Sequence, residues 1–202
     1  MSRYTGPKAR ICRREGVNIF GSEKYQKILQ NRPGTPGQHG ISLRRKQTQY
    51  GKQLREKQKT RFMFGITEKQ MRNYYKKATA MSGDTGEQLI SLVEKRYDNA
   101  LYRAGFVNTR MQARQLITHG HVLLNGSKAN KPGIQLKAGD VIEIKPNTKK
   151  NPMFQNLSDK YMAPKWLKVD RSNLQVTIED EPTTDDFEQI IEPRLIVEFY
   201  SR

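Results

Sequence analysis

Apolar residues recur at helical spacing from residue 85 to residue 104: Leu89, Leu92, Val93, Tyr97, Ala100, Leu101 and Ala104 share one face. A Thr-x-x-Gln capping box, Thr85 with Gln88, predicts where this helix starts, and Gly105 where it ends. The same grammar repeats at Thr109 and Gln112, with Ala113, Leu116 and Ile117 inward and Gly120 as the stop. Arg110 and Arg114, four apart, are expected to emerge together on the opposite, solvent-facing side. The period then changes to that of a strand at residues 121–124, and Asn125-Gly126 predicts a tight type I′ turn. Gly139-Asp140 and the apolar Val141, Ile142 and Ile144 close the unit. A third box, Thr67 with Gln70, opens a helix through Met71, Tyr74, Tyr75 and Ala78. Its polar side carries Lys69, Arg72, Lys76 and Lys77.

The flanks are less regular. Residues 1–46 read as an irregular basic arm: eleven basic residues face two acidic ones, and Pro33, Gly34, Pro36, Gly37 and Gly40 break any period. His39 lies in that turn cluster and has two readings, a contact to phosphate or base, or a turn filler. From Leu43 to Arg61 come eight basic residues and one acid, Glu56. On a helix from about Thr48, Lys52, Arg55 and Lys59 share a face, and the scarcity of acids favours a phosphate-facing stripe. Tyr50 and Phe62 flank it; they could stack on bases, while core packing is the favoured use of Phe62, Met63 and Phe64. Residues 145–152 read as a loop, 156–162 as a short helix, and 166–169 and 174–178 as strands. An acidic tract, 179–192, leads to the apolar run 195–200, which is expected to pack onto the body.

Charge narrows the function. Lys and Arg number 37 against 20 Asp and Glu, a formal net charge of +17 with a pI near 10.0. Residues 1–169 hold 34 basic and 11 acidic side chains, whereas residues 170–202 hold 3 and 9. Such an excess costs self-repulsion, which a polyanion relieves. A small module presenting arginines therefore points to nucleic acid. Hydrophobic content of 35% implies a small core. The single cysteine, Cys12, cannot form an intramolecular disulfide and fits a reducing compartment. No apolar run approaches the roughly 20 residues that cross a bilayer, and the first 25 residues lack the apolar centre of a secretory signal.

Several tracts, in order, carry a family resemblance: Met1 to Pro7, Arg13-Arg14-Glu15-Gly16, Pro36 to Gly40, Tyr50 to Gln58 and Arg72-Asn73-Tyr74-Tyr75. Thr109 to Leu116 with Asn125-Gly126, Trp166 to Asp170, and Leu195 to Arg202 continue it. Together they resemble bacterial-type small-subunit ribosomal protein number four, the uS4 family, over essentially the whole chain. Because the resemblance starts at Met1, no transit peptide is expected. It implies an α+β fold: a helical domain with an inserted mixed domain that carries the RNA-binding module and a small antiparallel sheet. The expected division is an arm at 1–46, a helical rRNA-binding domain at 47–92 joined by 180–202, and a mixed domain at 93–179 whose RNA-binding module spans 95–145.

The resemblance further implies a non-enzymatic constituent of the small ribosomal subunit in the cytoplasm. Such a protein binds the 5′ domain of small-subunit rRNA and nucleates assembly. Its neighbours would be the third and fifth small-subunit proteins and mRNA where it enters, and with the fifth protein it would influence translational accuracy. No small-molecule substrate, membrane or cofactor is implied. Zinc-binding members carry two cysteine pairs; here the first reads Ala9-Arg10-Ile11-Cys12 and the second is missing. One thiol cannot close a four-coordinate site, so no zinc is expected and RNA contacts should hold the arm.

The expected rRNA contacts in the arm are Arg3, Arg10, Arg13, Arg14, His39, Arg44, Arg45 and Lys46. In the helical body they are Tyr50, Lys52, Arg55, Lys57, Lys59, Arg61, Arg72 and Lys76, and in the module Arg110, Arg114 and Lys128. Arg96 is a candidate structural partner of Asp98 or Glu94. Asp185, Asp186, Glu188 and Tyr200 are expected at a protein interface, with internal charge balance as the alternative for the acids. Two rivals are disfavoured: an enzyme, for which no catalytic domain remains, and a free RNA chaperone or DNA-binding factor using the helix pair as a reader.

Overall fold

The computed structural model describes residues 4–38, 40, 48–155 and 162–202. The chain forms two compact units, residues 1–89 with 189–202, and residues 90–188.

The first unit is helical. It holds α1 (Lys8–Glu15), α2 (Glu23–Asn31), α3 (Gln49–Met63), α4 (Glu68–Thr79), the first half of α5 (Thr85–Glu94) and, after the chain returns, α10 (Pro193–Tyr200). The arm is thus not irregular throughout. Both α1 and α2 lie inside it, too brief to produce a readable period, and Gly16 at φ +73° ends the first. Ile11, Cys12 and Ile19 are buried there. Thr48 caps α3 by accepting from the Gly51 N–H at 3.1 Å, and Thr67 with Gln70 forms the expected box on α4. Asp84, one residue earlier than the sequence suggests, caps α5 by accepting from the Glu87 N–H. The apolar run near the C-terminus is α10. Pro193 opens it, which suits a first turn whose N–H groups need no helical partner. Ile196 is fully buried, and Glu198 accepts from Gln53 on α3 at 2.6 Å.

The second unit continues from α5 into α6 (Tyr97–Arg103), α7 (Arg110–Thr118), two single turns α8 (Pro146–Lys149) and α9 (Pro152–Gln155), and five strands. The long helix expected over 85–104 is broken between α5 and α6. Residues 132–136 intercept its backbone: the Tyr97 N–H donates to the Ile134 carbonyl at 2.9 Å, Asp98 to Pro132 at 3.1 Å, and Leu136 to Lys95 at 2.9 Å. Arg96 is accordingly extended and bridges Gln135. The apolar positions stay buried across the break: Leu89 and Val93 on α5, and Tyr97, Ala100, Leu101 and Ala104 on α6. The strands are β1 (Val122–Leu124), β2 (Ser127–Lys128), β3 (Val141–Ile144), β4 (Leu167–Asp170) and β5 (Gln175–Ile178). They form one antiparallel sheet in the order β2-β1-β3-β5-β4. Asn125 and Gly126 have φ of 50° and 72°, as a type I′ turn requires. Val122, Ile142, Val176 and Ile178 meet Tyr97, Leu101, Ala113, Ile117 and Trp166 in the core. The turn α8 and the first residue of α9 occupy residues expected to be a loop, and 156–161, expected as helix, lie outside the described residues.

Candidate nucleic-acid interface

In the helical unit the basic residues separate into two groups. Arg10 and Arg14 on α1, Lys52 on α3, and Arg72 and Lys76 on α4 are exposed, and Lys69 and Lys77 join the last two. Spacing of four places Arg10 with Arg14 and Arg72 with Lys76 on common faces. The second group faces carboxylates. Arg55 pairs with Glu15 at 3.2 Å, Lys57 with Glu68 at 2.9 Å, and Lys59 with Glu56 at 2.8 Å. Lys57 is buried and lies 4.5 Å from the centre of the Phe199 ring, while Lys59 also donates to the Ile190 carbonyl at 2.6 Å. The expected stripe of Lys52, Arg55 and Lys59 therefore needs correction. Only Lys52 is left to solvent, because Glu15 and Glu56 supply the counter-charges and Glu15 is remote in sequence. Burial pushes the Glu15 carboxyl up despite Arg55. The Glu68 carboxyl is held low: burial opposes this, but bonds from Tyr200 and Lys57 prevail.

Arg13 is also engaged, as a clasp. Its Nε donates to the carbonyls of Arg32 at 3.1 Å and Gly34 at 3.0 Å. The arm is thus held in part by its own guanidinium, an internal tie that the sequence reading assigned to RNA. Tyr50 is half exposed and tilted against Phe199, 5.8 Å between ring centres. Arg3, His39, Arg44, Arg45 and Lys46 lie outside the described residues.

In the mixed unit the paired arginines do not project freely into solvent. Arg110 donates to Asn99 Oδ1 and to Glu188 Oε1, both at 2.7 Å, and its side chain is 11% exposed. Arg114 lies 3.7 Å from Asp98, whose carboxylate also takes two bonds from Arg96 at 3.0 and 2.7 Å. Arg103 reaches Glu94 and Glu188, each at 3.4 Å. Burial alone would lower the Arg110 pKa, but Glu188 and Glu94 raise it, so the charge is fixed. Burial pushes the enclosed Glu94 carboxyl up, with Arg103 and Arg110 opposing. The expectation of a solvent-facing pair fails because Asp98, from the preceding helix, and Glu188, from the far end of the unit, lie opposite it. Lys128 on β2 is exposed beside Gly120.

Of the expected protein-interface residues, Asp185 is exposed. Asp186 accepts from the Thr183 N–H and hydroxyl, and its carbonyl accepts from Arg103. Glu188 is engaged by Arg110 and Arg103, so internal charge balance accounts for it. Tyr200 points inward: its hydroxyl donates to Glu68 at 2.7 Å and its ring stacks on Tyr75 at 5.1 Å.

Residues 3–94 match the family described as Ribosomal protein S4/S9 N-terminal domain, and residues 95–142 match the S4 domain. Over its full length the chain is 46% identical to small ribosomal subunit protein uS4 of Chloroflexus aurantiacus and 45% identical to that of Solidesulfovibrio magneticus. It is 40% identical to the Borrelia hermsii protein of the same name, covering 99% of that chain and 100% of the other two. The chain belongs to the uS4 family. It is therefore a structural, non-enzymatic ribosomal constituent with an S4 RNA-binding domain. The S4 match includes Arg96, Arg110, Arg114 and Lys128 but ends before Glu188, so the partner of Arg110 comes from outside the matched segment. The zinc set of some uS4 members does not fit these residues. Ala9 offers no donor, burial pushes the Cys12 thiol up, and among the described residues no three His, Cys, Asp or Glu gather to hold a metal ion. Among the described residues no helix is long and apolar enough to cross a membrane.

Proposed function

We propose that this uS4 chain binds the 5′ domain of small-subunit rRNA early in assembly and nucleates the subunit body. The contact is electrostatic at its base: exposed Arg10, Arg14, Lys52, Arg72 and Lys76, with Lys128 from the S4 domain, neutralise phosphates and release counterions. The observation that carries the reading is the sorting of charge. None of these cations forms an ion pair among the described residues, whereas Arg55, Lys57, Lys59 and Arg110 each do. In the ribosome the protein would stand beside the third and fifth small-subunit proteins near the incoming mRNA, in the cytoplasm. Exposed Asp185 would face a basic neighbour, and its contact with the fifth protein would influence accuracy.

Filter binding of the full chain to a 5′-domain transcript tests this. Affinity should fall steeply with salt. Arg72→Ala with Lys76→Ala should flatten the log–log slope by up to about 1.8 and leave the melting temperature unchanged. Affinity that is flat with salt, or no preference over an unrelated folded RNA, would sink the proposal. Asp185→Lys should weaken only the association with the fifth protein; an undiminished association would remove that part.

A further inference from the structure

A cavity of about 340 Å³ opens in the helical unit between α1 and α3. Arg10, Arg14, Arg55 and Arg61 line it, with Glu15 as the carboxylate among the lining residues. Glu15 is already spoken for by Arg55 at 3.2 Å. Three further guanidinium groups therefore border a space in which Glu15 is the one carboxylate among the described lining residues. Tyr4, Ile11 and Phe62 supply its apolar surface. Tyr4 and Phe62 meet edge to face, 5.1 Å between ring centres at 68°, and the Arg61 guanidinium lies 4.7 Å from the Phe62 ring. Two of the lining residues also carry buried polar atoms with unmet hydrogen bonds. Gln58 Oε1 and Arg61 Nε are both shut off from solvent without a partner. An acceptor and a donor left unmade in this way are unfavourable unless a ligand meets them.

We propose that this pocket takes one unstacked nucleotide of the bound RNA, its base between the aromatic and guanidinium surfaces and its phosphates at Arg10 and Arg14. The inference rests on the RNA reading above and adds a site to it. Three features select a nucleotide. A bare phosphate carries no N–H to satisfy the Gln58 carbonyl once that side chain turns toward the ligand, whereas every base does. Flat aromatic and guanidinium faces suit a base, because every base has a π-face that stacks on them. The volume falls at the small end of the roughly 300–1,000 Å³ typical of small-ligand pockets, which fits one nucleotide better than an extended ligand. Single-stranded bases splayed from folded RNA are what such pockets read.

The test uses the full chain with Gln58→Leu and, separately, Arg61→Lys, bound to the 5′-domain transcript and probed with base-specific chemical modification. Neither substitution changes net charge, so the salt slope should stay the same. In the wild type one unpaired base should become unreactive on binding. In both variants that base should regain reactivity, and affinity should fall about five- to tenfold. Arg61→Lys keeps the aliphatic stem, so it carries the test should Gln58→Leu disturb α3. If no base changes reactivity and affinity stays within twofold, the pocket proposal falls while salt-dependent RNA binding stands. If the wild type itself fails to bind the transcript, the RNA reading falls with it. Titration with AMP, GMP, CMP and UMP separates the remaining source. Saturable binding of a free nucleotide, lost in Gln58→Leu with an unaltered RNA footprint, would overturn the assignment to RNA.

Discussion

Two arginine pairs of identical spacing meet opposite fates in the two units. Arg10 and Arg14 on α1 are exposed; Arg110 and Arg114 on α7 are 11% and 13% exposed and face Glu188 and Asp98. The composition of the units foreshadows the difference. Residues 1–89 with 189–202 hold 22 Lys and Arg against 8 Asp and Glu, while residues 90–188 hold 15 against 12. Spacing decides only whether two side chains share a face. What stands opposite them, supplied by distant sequence, decides whether they meet water or a carboxylate. The helical unit has too few acids to pair its cations, and its surplus is left outside. The mixed unit nearly balances, and its arginines become part of the structure.

The sharpest way to break this contrast is Arg96→Ala. Arg96 and Asp98 are 1% and 5% exposed and joined by two bonds, so truncation leaves a buried carboxylate with Arg114, 3.7 Å away, as its remaining cation. Breaking such a pair costs about 3–5 kcal/mol. Urea unfolding of the full chain should show the mixed unit losing that much, while Arg14→Ala should change stability by less than about 0.5 kcal/mol. Comparable small effects from both would mean that the mixed unit does not use its arginines structurally.

A smaller effect, with a pH signature, is expected at Glu188. Burial opposes its ionisation, but Arg110 and then Arg103 hold its carboxyl below the ordinary glutamate value. A lowered folded pKa gives stability that is complete above the unfolded value and is lost as pH falls through the folded one. Glu188→Gln should therefore destabilise by about 1.5–3 kcal/mol at neutral pH, with the difference from wild type closing in acid. Glu94 runs the other way. Burial raises its carboxyl, so its own contribution favours the fold in acid and is lost as pH rises through the folded value. Melting curves from neutral to acidic pH check both signs. A Glu188→Gln deficit that does not depend on pH would rule out the ion pair as its cause.

Much of this was legible wherever the signal is local. The capping box at Thr67, the Thr109 cap, the Asn125-Gly126 turn and strands β4 and β5 each depend on a few adjacent residues, and all appear, although Gln112 accepts from the Asn108 N–H and does not close a box on Thr109. The break at Arg96 was not legible, because the groups that cause it lie some 40 residues onward, in the segment around Pro132 to Leu136. Burial of Lys57 and pairing of Arg110 were hidden for the same reason: Glu68, Phe199 and Glu188 are brought by the fold. Counting charges located the cationic surplus; only three-dimensional pairing separated available cations from committed ones. Gln58 and Tyr4, far apart in sequence, carried no pattern that would join them to Arg10 in one cavity.

The mildest effect is expected where the helical unit breaks its own rule. Arg13 sits between exposed Arg10 and Arg14 in sequence, yet its Nε is committed to the Arg32 and Gly34 carbonyls, with Nη2 3.5 Å from that of Thr35. Lysine keeps the charge but cannot fork between several carbonyls as a guanidinium does. Arg13→Lys should loosen the 32–37 segment by about 1–1.5 kcal/mol, seen as roughly tenfold faster amide exchange or cleavage there. The remainder of the helical unit should keep its protection, since α3, α4 and α10 are tied by contacts that do not include Arg13. The salt slope for RNA should also hold, because the charge is retained. Unchanged protection at 32–37 together with a shallower salt slope would instead make Arg13 a phosphate contact. The comparison would then be absolute: every arginine of α1 available for RNA, and those of α6 and α7 committed to carboxylates.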